Sequence, residues 1–262
     1  MSTSRIAIAA LIAALAASAA IIFTQDAAAR TTLPVTQQDD ADVADDKDKA
    51  EVRIGDPYTL TTCAVSGKEL GSMGEPITLL IEGREAKLCC KGCIKRMKTE
   101  PAKYFAKVDE ALIADQLRIY PIKTCIVSGE PLVEASEDSD DAAVNIIVGN
   151  RLFRVCCNMC ATKVQKDPTK YFAKLDAAVI KAQSEHYPLE MCLVRGKSKL
   201  GSMGDPDQLV VANRLVQFCC AGCRPKFAKD PAKYLAKLDA AWLKQHEKQG
   251  DAKGGHSADG GH

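Results

Sequence analysis

Apolar and polar positions recur in the same order three times between residues 57 and 248. In each case two short runs rich in β-branched and aliphatic residues flank two residues, mostly glycine or asparagine, that favour a tight turn, which predicts a β-hairpin. The paired runs are ITLLI and REAKL (77–81 and 84–88), VNIIV and RLFRV (144–148 and 151–155), and QLVV and RLVQF (208–211 and 214–218). The chain is therefore expected to contain three small antiparallel hairpins.

A short helix and a longer helix are predicted after each hairpin. The short helices are KGCIKRMKT, NMCATKVQK and AGCRPKFAK, and their core residues are expected to be Met97, Val164 and Phe227, each on the same helical face as a cysteine four residues earlier. An acid followed by proline then marks the start of each long helix. Those starts are Glu100-Pro101, Asp167-Pro168 and Asp230-Pro231.

The long helices carry apolar residues spaced four apart, the period of a buried helical stripe. The stripes are Tyr104, Val108 and Leu112; Tyr171, Leu175 and Val179; and Tyr234, Leu238 and Trp242. We call the three repeated segments unit 1 (57–118), unit 2 (119–185) and unit 3 (186–248). The predicted fold class is α+β, with three tandem modules that each combine a hairpin and two helices.

The segment before unit 1 is expected to direct the chain out of the cytoplasm. Residues 1–29 combine one positive charge, the apolar run Ile6–Phe23, and alanines at 27 and 29, a pattern typical of a cleaved signal peptide. An uncleaved anchor is the alternative, because the run is just long enough to span a bilayer. The predicted location is therefore periplasmic or secreted, with attachment to the inner membrane only if the segment is retained.

Two further segments are predicted to be disordered. Residues 30–56 form an acidic tether, in which seven acids fall between Asp39 and Glu51. Residues 249–262 form a tail rich in glycine that also contains His256 and His262. Within unit 2, the acidic stretch Glu134–Ala142 replaces the GSMG sequence of the other units and is expected to be a solvated loop.

Composition narrows the classes of function. The net charge of +1 does not favour nucleic-acid binding, because phosphate recognition needs an excess of basic residues on one face. Hydrophobic residues make up 47% of the chain and charged residues 26%, as in ordinary soluble proteins. The unusual feature is cysteine, with twelve residues that all fall inside the three units.

Each unit contains one isolated cysteine and one cysteine triplet. The sets are Cys63, Cys89, Cys90 and Cys93; Cys125, Cys156, Cys157 and Cys160; and Cys192, Cys219, Cys220 and Cys223. A unit of this size buries little apolar surface, so a metal ion or disulfides would be needed to stabilise it. A disulfide between adjacent cysteines would be strained, because neighbouring α-carbons are about 3.8 Å apart and disulfides usually need at least about 4.4 Å.

The complete pattern resembles the TRASH and YHS domains, small treble-clef-like modules associated with the trafficking and sensing of heavy metals and with resistance to them. The similarity covers Tyr58–Gln245 in three copies and is closest in FCCAGCRPKFAKDPAKYL at Phe218–Leu235. It implies metal ligands at the isolated cysteine and at the first and last cysteines of each triplet: Cys63, Cys89 and Cys93; Cys125, Cys156 and Cys160; and Cys192, Cys219 and Cys223.

The chain departs from that family at two positions in every unit. A second knuckle cysteine, which family members often have, is replaced by Ser66, Ser128 or Arg195. An extra cysteine stands inside each triplet, at Cys90, Cys157 and Cys220. Our hypothesis is that this thiol restores a four-sulfur site or leaves a three-coordinate site suited to Cu(I). The alternative is a buried thiol that binds no metal.

The predicted function is binding of zinc, copper or another soft heavy metal, for metal handling, resistance or sensing. The predicted partner is the metal ion, a protein is a further candidate partner, and no enzymatic activity is expected. One alternative is an interaction scaffold stabilised by disulfides or zinc. Another is a thiol–disulfide oxidoreductase that uses Cys90-x-x-Cys93, although the extra cysteines fit a ligand set better than a redox pair. His186 and His246 are expected to be exposed linker residues. Neither is therefore expected to pair with a cysteine in a hydrolytic site.

Overall fold

The computed structural model describes residues 52–134 and 142–254, which fall in one compact body. These ranges contain three two-stranded sheets and six α-helices. The same order, two strands and then two helical segments, occurs three times along the chain. This mixture of helices and small antiparallel hairpins agrees with the predicted α+β class.

The elements lie close to the positions predicted from the sequence. Unit 1 contains β1 (Ile77–Ile81), β2 (Arg84–Leu88), α1 (Gly92–Thr99) and α2 (Pro101–Leu117). Unit 2 contains β3 (Val144–Val148), β4 (Arg151–Val155), α3 (Asn158–Lys166) and α4 (Pro168–Gln183). Unit 3 contains β5 (Asp207–Val211), β6 (Arg214–Phe218), α5 (Arg224–Lys229) and α6 (Pro231–Gly254).

All three hairpins turn through two residues with left-handed backbone conformations. The φ angles are 53° and 74° at Glu82 and Gly83, 51° and 64° at Gly149 and Asn150, and 50° and 61° at Ala212 and Asn213. Two-residue turns with positive φ at both positions match the right-handed twist of the strands that they join. The hairpins predicted from the turn residues are thus confirmed.

The short helix of unit 3 differs from the prediction. Residues Ala221–Cys223 form a 3₁₀ turn, and α5 begins only at Arg224. Pro225 explains the difference, because it has no N–H to donate to a carbonyl four residues earlier and is therefore favoured only in the first turn of an α-helix. Units 1 and 2 have no proline at this position, and their short helices form as predicted.

The predicted caps of the long helices form in two units of three. Asp167 Oδ1 accepts a hydrogen bond of 3.3 Å from Lys170 N, and Asp230 Oδ1 accepts one of 3.2 Å from Lys233 N. The longer side chain of Glu100 makes no such cap and instead forms an ion pair of 3.1 Å with Lys103. The acid and proline still mark the helix start in each case.

The predicted core positions are buried. Met97, Val164 and Phe227 are at most 1% exposed, and the helical stripes are buried in all three units except for the partly buried Tyr234 and Trp242. The cores also extend across unit boundaries. Side chains of unit 3 hairpin residues Val210 and Leu215 belong to the core of unit 2. Units 2 and 3 therefore share a hydrophobic core and are not independent of each other.

Glutamines at the ends of two long helices join successive units. Gln116, at the end of α2, donates to Asn150 O at 2.9 Å and accepts from Leu152 N at 2.9 Å. Gln183, at the end of α4, makes the same pair of hydrogen bonds to the turn and second strand of unit 3. Each glutamine thus satisfies backbone groups of the following unit's hairpin.

Asp56, the last residue of the segment predicted to be a disordered tether, is instead buried. Both of its carboxylate oxygens accept hydrogen bonds from Arg151, at 2.8 and 2.5 Å, and Ala212 N also donates to it at 2.6 Å. Arg151 further contacts Asp176 and donates to Val210 O at 2.7 Å. The prediction for this residue is wrong because ion pairing and hydrogen bonding compensate the carboxylate for its lost hydration.

Several predicted segments lie wholly or partly outside the described residues. These are the signal peptide or anchor (1–29), the acidic tether up to residue 51, most of the acidic insert (135–141) and the last eight residues of the tail (255–262). The backbone of α6 continues to Gly254, past the predicted start of the tail at 249. No helix within 52–134 and 142–254 has the length and hydropathy needed to cross a bilayer.

Candidate metal centres

The isolated cysteine of each unit lies in a tight backbone turn. Cys63 N donates to Lys68 O at 2.7 Å, and Gly67 N donates back to Cys63 O at 2.9 Å. Gly67 has a φ of 69°, a conformation that residues with a Cβ rarely adopt. Cys125 with Gly129 and Cys192 with Gly196 repeat this arrangement. The glycine noted after each isolated cysteine thus allows the turn that presents the thiol.

The triplet cysteines are positioned by the end of a strand and the start of a helix. Cys89 directly follows β2, and Cys93 is the second residue of α1. Cys93 N donates to Cys90 O at 3.1 Å, which closes the turn between these two elements. The hairpin therefore supplies one thiol and the short helix another, while the upstream turn supplies the third.

Three sulfur atoms converge in each unit, at what we call sites 1, 2 and 3. In each site the sulfurs lie within 4.8 Å of one another. The groups are Cys63, Cys89 and Cys93; Cys125, Cys156 and Cys160; and Cys192, Cys219 and Cys223. These are the positions implied by the family resemblance. Among the described residues, no histidine or carboxylate belongs to such a group.

The distances between sulfurs suit metal coordination. In site 1 the sulfurs of Cys63 and Cys89 are each 3.9 Å from that of Cys93. The sulfurs of Cys156 and Cys160 in site 2 are 3.7 Å apart, and both corresponding separations in site 3 are 3.8 Å. Thiolates bound at about 2.3 Å to one ion are about 3.8 Å apart in a tetrahedral shell and about 4.0 Å apart in a trigonal one. A disulfide would bring two sulfurs to about 2.05 Å, and all twelve cysteines are free.

The extra cysteines stand at the edge of the sites. Cys90, Cys157 and Cys220 are partly exposed and do not belong to the convergent groups. The sulfur of Cys90 is 3.8 Å from that of Cys93, and the sulfur of Cys157 is 3.8 Å from that of Cys156. Each of these two outer thiols therefore contacts one sulfur of the inner three and is reachable from solvent.

Serines occupy the position of the missing knuckle cysteine and contact the sites. Ser66 Oγ lies 3.3 Å from Cys89 Sγ, and Ser128 Oγ lies 3.4 Å from Cys156 Sγ. Ser66 N also donates to Cys63 Sγ at 3.5 Å, as Arg195 N does to Cys192 Sγ in site 3. Sites 1 and 2 thus gain a hydroxyl contact that site 3 lacks. The sequence indicated that a cysteine ligand is missing at these positions, but it did not predict that the serine hydroxyls contact the site cysteines.

Hydrogen bonding and burial separate the pKa values of the thiols. Burial opposes ionisation of Cys63, but hydrogen bonds from the Ser66 hydroxyl and from nearby backbone N–H groups outweigh it and lower the thiol pKa to about 6. The same balance at Cys125, with Ser128, lowers that pKa to about 6. Burial, together with neighbouring thiols, raises the pKa of Cys93, Cys160 and Cys223 to about 12.

These differences in thiol pKa set the protonation of the cysteines before a metal ion binds. At neutral pH the isolated cysteines of sites 1 and 2, Cys63 and Cys125, are ionised. Cys93 and Cys160, at the starts of the short helices, keep their protons. A cation that binds would displace the remaining protons, because thiolates are the metal ligands. Sites 1 and 2 can therefore each offer one preformed negative charge to an incoming ion.

The predicted linker histidines are exposed, but only one lies in a linker. His186 follows the end of α4, whereas His246 lies within α6, where its ring stacks on Trp242 with centroids 6.1 Å apart. Neither belongs to a convergent ligand group.

Comparisons of the chain with protein-family models, curated proteins and solved structures found no match. The resemblance to TRASH and YHS domains therefore remains a prediction from the sequence. The geometry of the three cysteine groups supports metal binding.

Proposed function

We propose that the chain is an exported protein that binds a soft metal ion at each of three cysteine sites and takes part in metal handling, resistance or sensing. The observation that carries the proposal is the convergence of three sulfurs per site, within 4.8 Å of one another. Soft thiolate ligands favour zinc and Cu(I) over hard cations such as magnesium and calcium. Export rests on the N-terminal sequence pattern, and TRASH/YHS membership rests on the repeated motif.

The outer thiol of each site has a proposed role in binding or transferring the ion. In our proposal Cys90, Cys157 and Cys220 complete a four-sulfur shell or remain free to exchange the ion with a partner protein. Their partial exposure supports this role, because the inner thiols are mostly buried and the outer thiol is the one that an incoming ligand would meet first. The separation of 3.8 Å between the sulfurs of Cys90 and Cys93 supports the proposal that the two share an ion.

Metal stoichiometry in the full chain tests the proposal. We expect about three equivalents of zinc or copper after anaerobic purification, one for each site. Cys93→Ser should lower the count by one and leave the other two sites loaded. Exposed Ser72→Ala is the matched control and should keep all three. A count that does not depend on Cys93 would overturn the proposed sites.

A second variant tests the outer thiol separately. If Cys90 is a ligand, Cys90→Ser should leave the chain folded and weaken binding at site 1. Unchanged affinity and stoichiometry would show that Cys90 does not coordinate the ion. Reductase activity that depends on Cys90 and Cys93 would instead favour the oxidoreductase alternative.

A structural role of the metal is the second candidate. Cysteines of all three sites belong to the hydrophobic cores, so a bound ion would also hold core residues together. Removal of the metal with a chelator separates the two roles, because a structural metal contributes its binding free energy to folding. Retention of the helical circular dichroism after removal supports handling, and its loss supports a scaffold.

A further inference from the structure

Exposed methionines form a pattern that metal binding by cysteine does not explain. Five methionines lie in the described residues, and only Met97 is buried. Met73, Met159 and Met203 are 57%, 74% and 63% exposed, and each unit contains one of them. Burial of a methionine side chain stabilises a protein by about 1.5–3 kcal/mol, so three exposed positions forgo that stabilisation.

In units 1 and 3 the methionine lies at the end of the hairpin that carries the metal site. Met73 precedes β1 by four residues, and β1 begins at Ile77, which pairs with Leu88 at the end of β2. The GSMG loop and Cys89 are therefore at the same end of the hairpin. The loop turns at Gly71 and Gly74, with φ angles of 89° and 108°. Unit 3 repeats this arrangement with Met203 ahead of β5.

Unit 2 supplies its methionine by another route. It has no GSMG loop, but Met159 stands inside the cysteine triplet, where units 1 and 3 have Gly92 and Gly222. Counted outward from the paired residues Ile77 and Leu88, Met73 and Gly92 are both four residues beyond the hairpin. Each unit thus has an exposed thioether at the end of the hairpin that leads into the cysteine triplet, either in the loop before the first strand or in the triplet after the second.

We infer that Met73, Met159 and Met203 are thioether ligands at the rim of sites 1, 2 and 3, and that they make these sites selective for a soft monovalent cation, Cu(I) or Ag(I), over Zn(II). Thioether sulfur is a soft ligand that selects Cu(I). Structural zinc sites in proteins use thiolate and imidazole ligands. The inference rests on the proposed function, because the thiols would supply the other ligands.

Methyl NMR of the full, reduced chain tests this inference, with methionine labelled at the ε-carbon and AgNO₃ as the probe. The methyl signals of Met73, Met159 and Met203 should shift as up to three equivalents of Ag(I) are added. Met97 is buried in the same core as the site 1 cysteines, so its methyl signal reports rearrangement of that core. Met191 is the exposed control, because adjacent residues of an extended chain point to opposite sides and Cys192 faces the site.

Thiolate-to-metal absorption, recorded on the same samples, separates the inference from the proposed function. Absorption that rises while the three methyl signals stay in place would refute the thioether ligands and leave the cysteine sites intact. Failure of both signals to respond would refute the proposed function as well. Equal shifts at Met191 and the other exposed methionines would indicate nonspecific surface binding and would also refute the inference.

Matched variants then test selectivity. Met159→Leu retains the size of the side chain but removes the sulfur, and should weaken Ag(I) binding at site 2 on the order of tenfold, as loss of a partner near a metal typically does. Zinc affinity should stay unchanged. Met191→Leu should leave both affinities unchanged. Equal loss of silver and zinc affinity in Met159→Leu would overturn the claim of selectivity, and retention of zinc stoichiometry verifies that the variant folds.

Discussion

Replacement of Arg151 by methionine should strongly destabilise the whole body of the protein. The Arg151 side chain is 4% exposed, and its guanidinium group binds both oxygens of the Asp56 side chain, which is 5% exposed. It also contacts Asp176 in α4 and the Val210 carbonyl in unit 3. Methionine preserves much of the apolar stem but leaves the Asp56 carboxylate buried without a cation.

The size of the destabilisation depends on the Asp56 carboxylate, which would stay buried without its cation. Removal of one partner from a buried ion pair typically costs about 3–5 kcal/mol, because the remaining charge has lost its hydration. Ala212 N still donates to Asp56 at 2.6 Å and would offset part of the loss. We therefore expect a loss of about 3 kcal/mol, a large share of the usual stability of a domain.

Arg224→Met is the matched control. Arg224 also binds both oxygens of an aspartate, Asp207, but its side chain is 42% exposed. Exposed ion pairs contribute at most about 1 kcal/mol. The two variants thus remove the same chemical interaction from two environments, one buried between units and one at the surface of unit 3.

Urea unfolding of the full, zinc-loaded chain, followed by circular dichroism, measures both effects. Arg151→Met should lower the unfolding midpoint much more than Arg224→Met does. Equal midpoints would refute the claim that the buried ion pair joins the units. A double variant, Asp56→Asn with Arg151→Met, should recover part of the loss, because no unpaired charge then remains buried.

Two further predictions concern the junctions and the thiols. Gln116→Leu should cost about 2–6 kcal/mol, because it leaves Leu152 N and Asn150 O buried without partners. The equivalent change at the partly buried Gln183 should cost less, and equal midpoints in urea would contradict this. In the metal-free reduced chain, the free energy of unfolding should rise between pH 6 and 8.5. Cys63 and Cys125 have a folded pKa of about 6, below the ordinary thiol value of about 8.5, so their contribution is present above that value and lost as the pH falls through about 6. Ser66→Ala with Ser128→Ala should reduce the rise, and a stability that does not change with pH would refute the role of these hydrogen bonds.

The local elements could be predicted because their determinants are local. Alternating apolar residues around Gly-Asn or Glu-Gly specify a hairpin, and Asp-Pro specifies the start of a helix. The convergence of the inner cysteines is not local in sequence. The resemblance of the motif to TRASH and YHS domains implied it, and the three cysteine groups agree with that expectation. The 3₁₀ turn before α5 shows how a single residue, Pro225, shifts an otherwise repeated boundary.

The junctions between units could not be predicted from hydrophobic patterning, because polar side chains form much of them. Gln116 is completely buried, although a glutamine near a helix end would ordinarily be placed in solvent. Asp56 follows an acidic run that predicts solvation. One usable signal was present: an arginine and an aspartate recur 25 residues apart in every unit. These pairs are Arg84 with Asp109, Arg151 with Asp176, and Arg214 with Asp239.

The second strand of each hairpin connects these arginines to the metal sites. Each strand begins at Arg84, Arg151 or Arg214 and ends one residue before a ligand cysteine. Five residues of extended chain span about 17 Å, so every site lies well away from the arginine of its own unit. The cysteines form three distinct groups, so each group would hold its own ion. Because the same strands also contribute to shared cores, binding at one site would stabilise the body that carries the other two.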